Sequence, residues 1–289
     1  MRPALAPTGL LDVVSPGTAL GAQDAGDAGA ILRSAGGGRS WTELADLPGV
    51  VTQLDFPVPA DGVAATYQAG VPARTPPWRL WRSRDGGLTW RAAGALPGGN
   101  TDILGPWFSA SGRGLLLTVT GGIPWQPGSG GTPPVRVWTT ANWGSSWTRG
   151  GLLPLGRDTL TGAASFTPAG WSGWLVIETA GFAQRVAVAG RGPLRLLPAS
   201  LNASYLQLLG HGTGFAWGLD SGQAGRTVVT LSRTTDNGHS WRRSRATLVA
   251  PPGAADTPLI SFGDASHGWL VFGGVTWRTS DGGTGWVRG

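Results

Sequence analysis

The stretch that decides the fold is Ser83-Arg84-Asp85-Gly86-Gly87-Leu88-Thr89-Trp90. It sets a hydroxyl, an aspartate, two glycines, a second hydroxyl and a tryptophan at fixed positions. An Asp side chain accepts backbone N–H groups across a tight turn, and Gly allows the positive φ that such a turn requires. The stretch therefore predicts a turn between two strands, and the Trp begins the second strand.

The same pattern occurs four more times along the chain. Thr234 to Trp241 keeps the Asp, and Thr279 to Trp286 keeps it with Gly in place of the second hydroxyl. The other two copies replace the Asp, by Asn in Thr140 to Trp147 and by Gly in Ser34 to Trp41. A pattern that returns at a near-constant period indicates a repeat fold.

The closing tryptophans set the period. Trp41, Trp90, Trp147, Trp241 and Trp286 are separated by 49, 57, 94 and 45 residues. The step of 94 is two steps of 47, so a unit without the motif is expected there, with its turn at Gly190-Arg191-Gly192-Pro193. The sequence thus predicts six units, over about residues 8–49, 50–98, 99–154, 155–198, 199–251 and 252–289.

Each unit contains four short apolar stretches separated by Gly-rich turns. Gly268-Trp269 opens one such stretch, and Val135-Arg136-Val137-Trp138 leads into a copy of the motif. Four short strands per unit are typical of a propeller blade, which cannot bury its faces without neighbours. The predicted fold class is all-β, a single domain over residues 1–289 that forms a six-bladed β-propeller of four-stranded antiparallel blades, with the repeated motif at the turns.

The composition excludes several chemistries. The 289 residues include no Cys, and all 22 basic residues are Arg, so thiolate catalysis and a Schiff-base or phosphate-loop lysine are excluded. The three His are far apart in sequence, and no metal or cofactor is expected. The net charge of +6 comes from scattered Arg, so no nucleic-acid partner is expected, and no apolar run is long enough for a transmembrane segment.

The motif resembles the Asp-box, also called the bacterial neuraminidase repeat. The pairing of Phe262-x-Asp264-x-x-x-Gly268-Trp269 with the box at Asp281 resembles propellers described as photosystem II stability/assembly factor-like. The resemblance implies the fold but leaves the function open, because Asp-box propellers include sialidases, xyloglucan-cleaving hydrolases, sorting receptors and non-catalytic assembly factors. An exported or cell-surface protein is expected, with a cytoplasmic protein as the alternative.

The box residues are interpreted as structural. Their carboxylates are expected to bind turn N–H groups and their Trp rings to pack between blades. An Arg precedes four boxes, and each Arg is expected to stack on a Trp or to bind turn carbonyls. The residues given a structural role are Trp41, Asp85, Trp90, Asn142, Trp147, Asp236, Trp241, Asp281 and Trp286.

A binding site is expected at the ends of the blades opposite the boxes. In β-propellers this end carries the loops between the second and third strands of a blade and the loops that lead from a fourth strand to the next blade. Long loops on a rigid scaffold often carry function, and the longest holds an aromatic residue flanked by prolines. The candidate ligand-binding residues in these loops are Trp125, Gln126, Arg74, Trp78, Asp24, Asp27, Arg157, Asp158, Tyr205 and Asp220.

Two functions stay open. The favoured one is a non-catalytic scaffold that binds a protein or glycan partner, including a role in assembly of an envelope or membrane complex. The alternative is a glycoside hydrolase of sialidase-like or xyloglucan-cleaving type, which needs paired carboxylates such as Asp24 with Asp158 or Asp220. The sialidase type is disfavoured because the chain has two Tyr and few Glu. No catalytic residue is assigned.

Overall fold

The computed structural model describes residues 6–24, 27–72, 75–98, 102–119, 134–153, 160–169, 172–179, 184–189, 195–199, 205–209, 212–221, 227–236, 240–247 and 258–289. All regular structure in these ranges is β, and they contain no helix that could cross a membrane. The short apolar stretches of the sequence form strands because period-two alternation and Gly-rich turns suit a pleated backbone.

The described strands pair into six four-stranded antiparallel sheets, each with its strands in chain order. The strands of the first three sheets are β1 (Leu10–Ser15), β2 (Thr18–Asp24), β3 (Ala28–Ser34), β4 (Thr42–Pro48), β5 (Val50–Asp55), β6 (Gly62–Tyr67), β7 (Trp78–Ser83), β8 (Arg91–Ala95), β9 (Asp102–Phe108), β10 (Gly114–Val119), β11 (Val135–Thr140) and β12 (Thr148–Leu152). Those of the other three are β13 (Leu160–Ala169), β14 (Ser172–Thr179), β15 (Gln184–Ala189), β16 (Arg195–Ala199), β17 (Tyr205–Leu208), β18 (Gly214–Ser221), β19 (Thr227–Thr234), β20 (Arg242–Thr247), β21 (Leu259–Phe262), β22 (Gly268–Phe272), β23 (Val275–Thr279) and β24 (Val287–Arg288).

Burial falls across a sheet from its second strand to its fourth. Every residue of β10 is buried, whereas β8 and β12 are exposed at all but their central residue. A second strand that is apolar on both faces requires a neighbouring sheet against each face. The fourth strands, which alternate little and carry polar residues, form the outer edge of their sheets.

The chain divides into two compact units, which are described separately. The first comprises Met1–Gly94, Leu219–Thr230 and Ser244–Gly289, and in it β1 packs against β5 and β21. The second comprises Ala95–Gly218 and Leu231–Arg243, and in it β13 packs against β9 and β17. First strands thus contact first strands of neighbouring sheets, as expected for propeller blades.

The core of the first unit lies between its sheets. One cluster joins Val13 and Leu32 of the first sheet to Trp269 of β22, whose ring meets that of Trp41 edge to face at 6.1 Å. A second cluster packs residues of the first sheet against Phe56, whose ring meets Trp90 at 5.8 Å. Box tryptophans therefore help to bury the seams between sheets.

The predicted fold, a six-bladed propeller with Asp-box turns, is corrected in its number of blades. The structure has five blades of that kind, each with a box between its third and fourth strands. The strands β13 to β16 form a further four-stranded sheet without a box, since residues 190–194 contain no Asp and no Trp. The turn predicted at Gly190 to Pro193 lies outside the described residues.

Candidate functional site

The box at Asp85 is a closed hydrogen-bond network. Asp85 Oδ1 accepts the Thr89 N–H at 2.9 Å and the Ser83 hydroxyl at 2.8 Å, and Oδ2 accepts the Thr89 hydroxyl at 2.6 Å. The Ser83 hydroxyl oxygen in turn accepts the Gly87 N–H at 2.8 Å, and Trp90 Nε1 donates to the Gly87 carbonyl at 2.9 Å. Every polar group that the motif repeats has a partner inside the turn.

The boxes at Asn142, Asp236 and Asp281 repeat the contact between the third-position side chain and the seventh-position N–H. The Thr279 hydroxyl donates to Asp281 Oδ1 at 2.7 Å, and Asp281 accepts the Gly285 N–H at 2.9 Å. Asn142 Oδ1 accepts the Ser146 N–H at 3.0 Å, and Asp236 accepts the Ser240 N–H at 2.9 Å. Asparagine therefore replaces the aspartate in this turn without loss of the backbone contact.

These contacts lower the pKa of two box carboxylates, Asp85 and Asp281. The Thr89 hydroxyl, the Thr89 N–H and the Ser83 hydroxyl lower the pKa of Asp85 to about 2. The Gly285 N–H and the Thr279 hydroxyl likewise lower the pKa of Asp281. A carboxylate that is ionised and already bonded to several donors is poorly suited to acid–base chemistry. The box aspartates thus make the contacts that a structural role requires.

The fourth position of the box attaches the turn to its own sheet. The Gly86 N–H donates to the Ala60 carbonyl at 2.9 Å, and the Gly282 N–H donates to the Ser266 carbonyl at 2.8 Å. In the third sheet this position is Trp143, with φ of 58°, and its N–H donates to the Gly112 carbonyl at 2.8 Å. The boxes are therefore tied to the turns between first and second strands.

An aromatic pair lies at the opposite end of the second sheet. Tyr67 ends β6 and Trp78 begins β7, the two residues pair across the sheet, and their rings are 4.8 Å apart with a tilt of 53°. Tyr67 is 37% exposed and Trp78 is half-buried. The Gln68 N–H donates to the Pro77 carbonyl at 2.9 Å, which closes the base of the loop beyond the pair.

Gly49 connects this pair to the loop of the first sheet. Its N–H donates to the Asp27 carbonyl at 2.9 Å, and its φ is +85°. A Cβ at this position would lie 2.5 Å from the Tyr67 carbonyl oxygen, so the close approach requires glycine. Backbone contacts through Gly49 therefore place the exposed residue Asp27 and the end of β6 at Tyr67 next to each other. We name Asp27, Gly49, Tyr67, Gln68 and Trp78 the aromatic edge.

The predicted site residues have different outcomes. Asp27 and Trp78 lie on the aromatic edge. Four candidates that were predicted to lie in loops belong to strands: Asp24 ends β2, Trp78 begins β7, Tyr205 begins β17 and Asp220 lies within β18. The candidates outside the described residues are Arg74, Trp125, Gln126, Arg157 and Asp158.

The sequence analysis missed Tyr67 and Asp12. Tyr67 is one of only two Tyr in the chain and directly precedes a proline-rich loop, a signal that could have singled it out. Asp12 is the one charged residue of the apolar strand β1, and its Oδ2 accepts the Phe56 N–H at 2.6 Å. Burial raises the pKa of Asp12 to about 7, although the Phe56 N–H opposes the shift.

The described residues contain no group of His, Asp and Glu side chains that could hold a metal ion. No protein-family model matches the chain, and no curated protein matches it in sequence. The likeness to Asp-box proteins therefore rests on the motif.

Comparison with solved structures finds β-propellers. YCF48 bound to D1 peptide is 13% identical with a TM-score of 0.52, and the match covers 99% of this chain and 82% of that one. YCF48 from Cyanidioschyzon merolae is 16% identical with a TM-score of 0.51, covering 99% and 86%. A variant of the Aleuria aurantia lectin in complex with alpha-methyl-L-fucoside is 12% identical with a TM-score of 0.61, covering 99% and 96%.

These matches define a class. The chain is an all-β propeller of four-stranded antiparallel blades, similar in structure to Ycf48 propellers and to other β-propellers. At these identities the similarity concerns the fold alone, because one fold supports many functions.

Proposed function

We propose that the protein is a non-catalytic propeller that binds a protein or glycan partner at the aromatic edge. The observation that carries the proposal is the exposed Tyr67 ring, held 4.8 Å from Trp78 at the end of two paired strands. A ring with two side-chain torsions loses little entropy on binding and offers a large apolar area. Fixed aromatic rings are therefore effective contacts for a ligand.

The surroundings of the rings suit a ligand that is partly polar. The exposed Asp27 supplies a carboxylate in the neighbouring loop of the first sheet, next to the end of β6 at Tyr67. An apolar platform beside a few polar groups is the usual composition of a ligand site. A sugar ring or a peptide segment stacks on this platform while its polar groups bind the Asp27 carboxylate.

The structural neighbours support a binding role without defining this ligand. One is described in complex with a D1 peptide and another with a fucoside. Both are propellers that hold a ligand, so the proposal assigns this fold a use already seen for it. Assembly of an envelope or membrane complex is part of the proposal, as is an exported or cell-surface location, which fractionation of the source cells would test.

The test is a paired glycan array and peptide array probed with wild-type protein and with Tyr67→Ala. The matched control is Leu88→Ala, because Leu88 is 54% exposed at the box end of the same sheet. We expect a ligand that wild type and Leu88→Ala retain and that Tyr67→Ala loses. Equal binding by all three proteins, or binding by none, would contradict the proposal. The array that gives the signal identifies the class of partner.

A glycoside hydrolase is the second candidate, and Asp12 is the observation that favours it. A general acid needs a raised pKa, and burial raises the pKa of Asp12 to about 7. Its carboxylate nevertheless bonds the Phe56 N–H, which gives it a structural partner. Hydrolysis on a glycoside panel that Asp12→Asn abolishes would support this candidate over the binding propeller.

A further inference from the structure

The box of the first sheet lacks an acceptor that the other described boxes have. In four boxes a side-chain oxygen at the third position accepts the N–H of the seventh, at 2.9 to 3.0 Å. In the first sheet the third position is Gly36 and the seventh is the exposed Ser40. No described residue provides a hydrogen-bond partner for the Ser40 N–H. The first box therefore lacks the third-position oxygen but keeps the Ser40 N–H that would donate to it.

The rest of this turn keeps the box geometry. The Gly38 N–H donates to Ser34 Oγ at 2.9 Å, and the Gly37 N–H donates to the Gly17 carbonyl at 3.2 Å. In the other four boxes the first-position hydroxyl donates to the third-position oxygen at 2.7 to 2.9 Å. The Ser34 hydroxyl has the same location but no such acceptor, so a second donor faces the same position.

The position also has room for an acceptor. A Cβ built on Gly36 would meet no heavy atom within 4 Å. The space that the Asp carboxylate occupies in the boxes of other sheets is therefore open in this box. The φ of Gly36 is not in the left-handed region, so the backbone there accepts any side chain. The absence of the carboxylate is therefore a property of the sequence and does not result from crowding.

A cation lies beside this turn. The Arg278 guanidinium packs against Gly37; its Nε is buried without a hydrogen-bond partner, as are the Nε atoms of the other three Arg that precede a box. Arg278 forms no ion pair with any residue that the structure describes. The equivalent Arg82 of the second sheet, by contrast, bonds Asp61 Oδ1 at 3.0 Å. Gly289 packs against the same turn, but a guanidinium that bonds no described carboxylate side chain, beside unused N–H and O–H donors, still favours a carboxylate.

We propose that the box of the first sheet binds a carboxylate from outside the chain, in place of its missing aspartate. The carboxylate accepts the Ser40 N–H and the Ser34 hydroxyl, as Asp85 does in its own box, and Arg278 supplies the adjacent positive charge. Its source is a free small carboxylate or an acidic side chain of a partner protein. This site lies at the box end, so it does not depend on the aromatic edge.

The test is an amide NMR titration of the whole protein with sodium acetate, at ionic strength held constant with sodium chloride. We expect a saturable shift of the Ser40 amide in the wild type. Gly36→Asp supplies the carboxylate internally, so its Ser40 amide should not respond to acetate. Gly36→Ala is the matched control, because it adds a side chain without an acceptor and should respond like the wild type.

Arg278→Gln tests the charge, and we expect it to weaken acetate binding about tenfold while the Gly38 amide keeps its position. A Ser40 amide that does not saturate in the wild type, or that responds equally in Gly36→Asp, would overturn the proposal. A short peptide with one Asp, compared with its Asn counterpart, distinguishes the sources. Tighter binding of the Asp peptide than of acetate identifies a protein partner, and equal binding identifies a free carboxylate.

Discussion

The hydrogen bonds and backbone angles of each turn determine which residue types its positions accept. Asp85 accepts two hydroxyls and an N–H, and these donors lower its pKa to about 2. The glycines beside it are equally constrained, since Gly86 and Gly87 have φ of 71° and 91°. The motif therefore contains residues that make contacts and residues that permit the backbone path, and the two kinds respond differently to substitution.

Gly87→Ala is expected to destabilise the protein by about 1–3 kcal/mol, because a side chain at positive φ is strained. Its Cβ would also lie 2.8 Å from Leu20 Cδ2. Urea denaturation measures the free energy of unfolding. Gly36→Ala is the control, since it meets open space, and it should change that free energy little. Equal losses for the two variants would show that the positive φ is not the cause.

Asp12→Asn is expected to remove a pH dependence of stability. The pKa of Asp12 is raised to about 7, so the native state keeps a proton that the unfolded chain releases near pH 4. Wild-type stability should therefore fall as the pH rises from about 4 to about 7, by an amount on the order of 4 kcal/mol, and then level off.

The Asn side chain still accepts the Phe56 N–H, so the variant isolates the titration from the contact. The difference in unfolding free energy between wild type and Asp12→Asn, measured by urea denaturation across this range, should grow with pH in favour of the variant. A difference that does not depend on pH would contradict the assignment of a raised pKa to Asp12.

Strands are held to neighbouring sheets by a few buried or partly buried polar contacts. The Val13 N–H of β1 donates to Ser261 Oγ of β21 at 3.0 Å, and Trp269 Nε1 donates to the Pro16 carbonyl at 3.3 Å. On the other side of β1, Asp12 Oδ2 accepts a hydrogen bond from the Phe56 N–H. The first strand is thus bonded through side chains to sheets on both sides, in addition to its apolar packing.

Ser261→Ala should leave the buried Val13 N–H without its acceptor and destabilise the protein by about 1–3 kcal/mol. Thermal and urea unfolding measure the loss. Ser111→Ala is the matched control, because the Ser111 hydroxyl is exposed and bonds only the Ser109 hydroxyl. A Ser261→Ala variant as stable as the control would mean that the contact between β1 and β21 does not support the seam.

The sequence was sufficient for the elements that contain their own signals. The box is local, so Asp85 and Trp90 predict the turn and the strand after it without knowledge of the rest of the chain. Contacts between sheets are not local: Asp12 lies 44 residues from Phe56, and only the packing of β1 on β5 brings them together. The total of six blades required correction because it was inferred from the step of 94 residues between two boxes, and a spacing without the motif contains no local signal of a blade.

The candidate site shows the same limit. Trp78 was predicted from its loop, but its contact with Tyr67 depends on the register of β6 and β7, and the link to Asp27 depends on Gly49. A strand register follows from which face is buried, and that is decided by neighbouring sheets. Tyr205 and Asp220 were assigned to loops because the ends of strands are weakly marked in sequence.

At the scale of the whole molecule, the two ends of the blades have different chemistry. At the box ends, the third-position side chains of four boxes are already bonded within their turns. Among the described boxes, that of the first sheet lacks a side-chain acceptor at the third position. The opposite end of the first and second sheets presents aromatic rings and an exposed carboxylate. A binding propeller requires only the second kind of surface, whereas a hydrolase requires a pair of reactive carboxyl groups.

The most direct test of the binding function is calorimetric titration of the ligand selected on the arrays, with wild type, Trp78→Ala and Leu88→Ala compared at one temperature. Loss of a stacked aromatic ring should weaken binding about tenfold or more in Trp78→Ala. Leu88→Ala should match the wild type. If Trp78→Ala binds as tightly as the wild type while remaining folded, the aromatic edge is not the binding site.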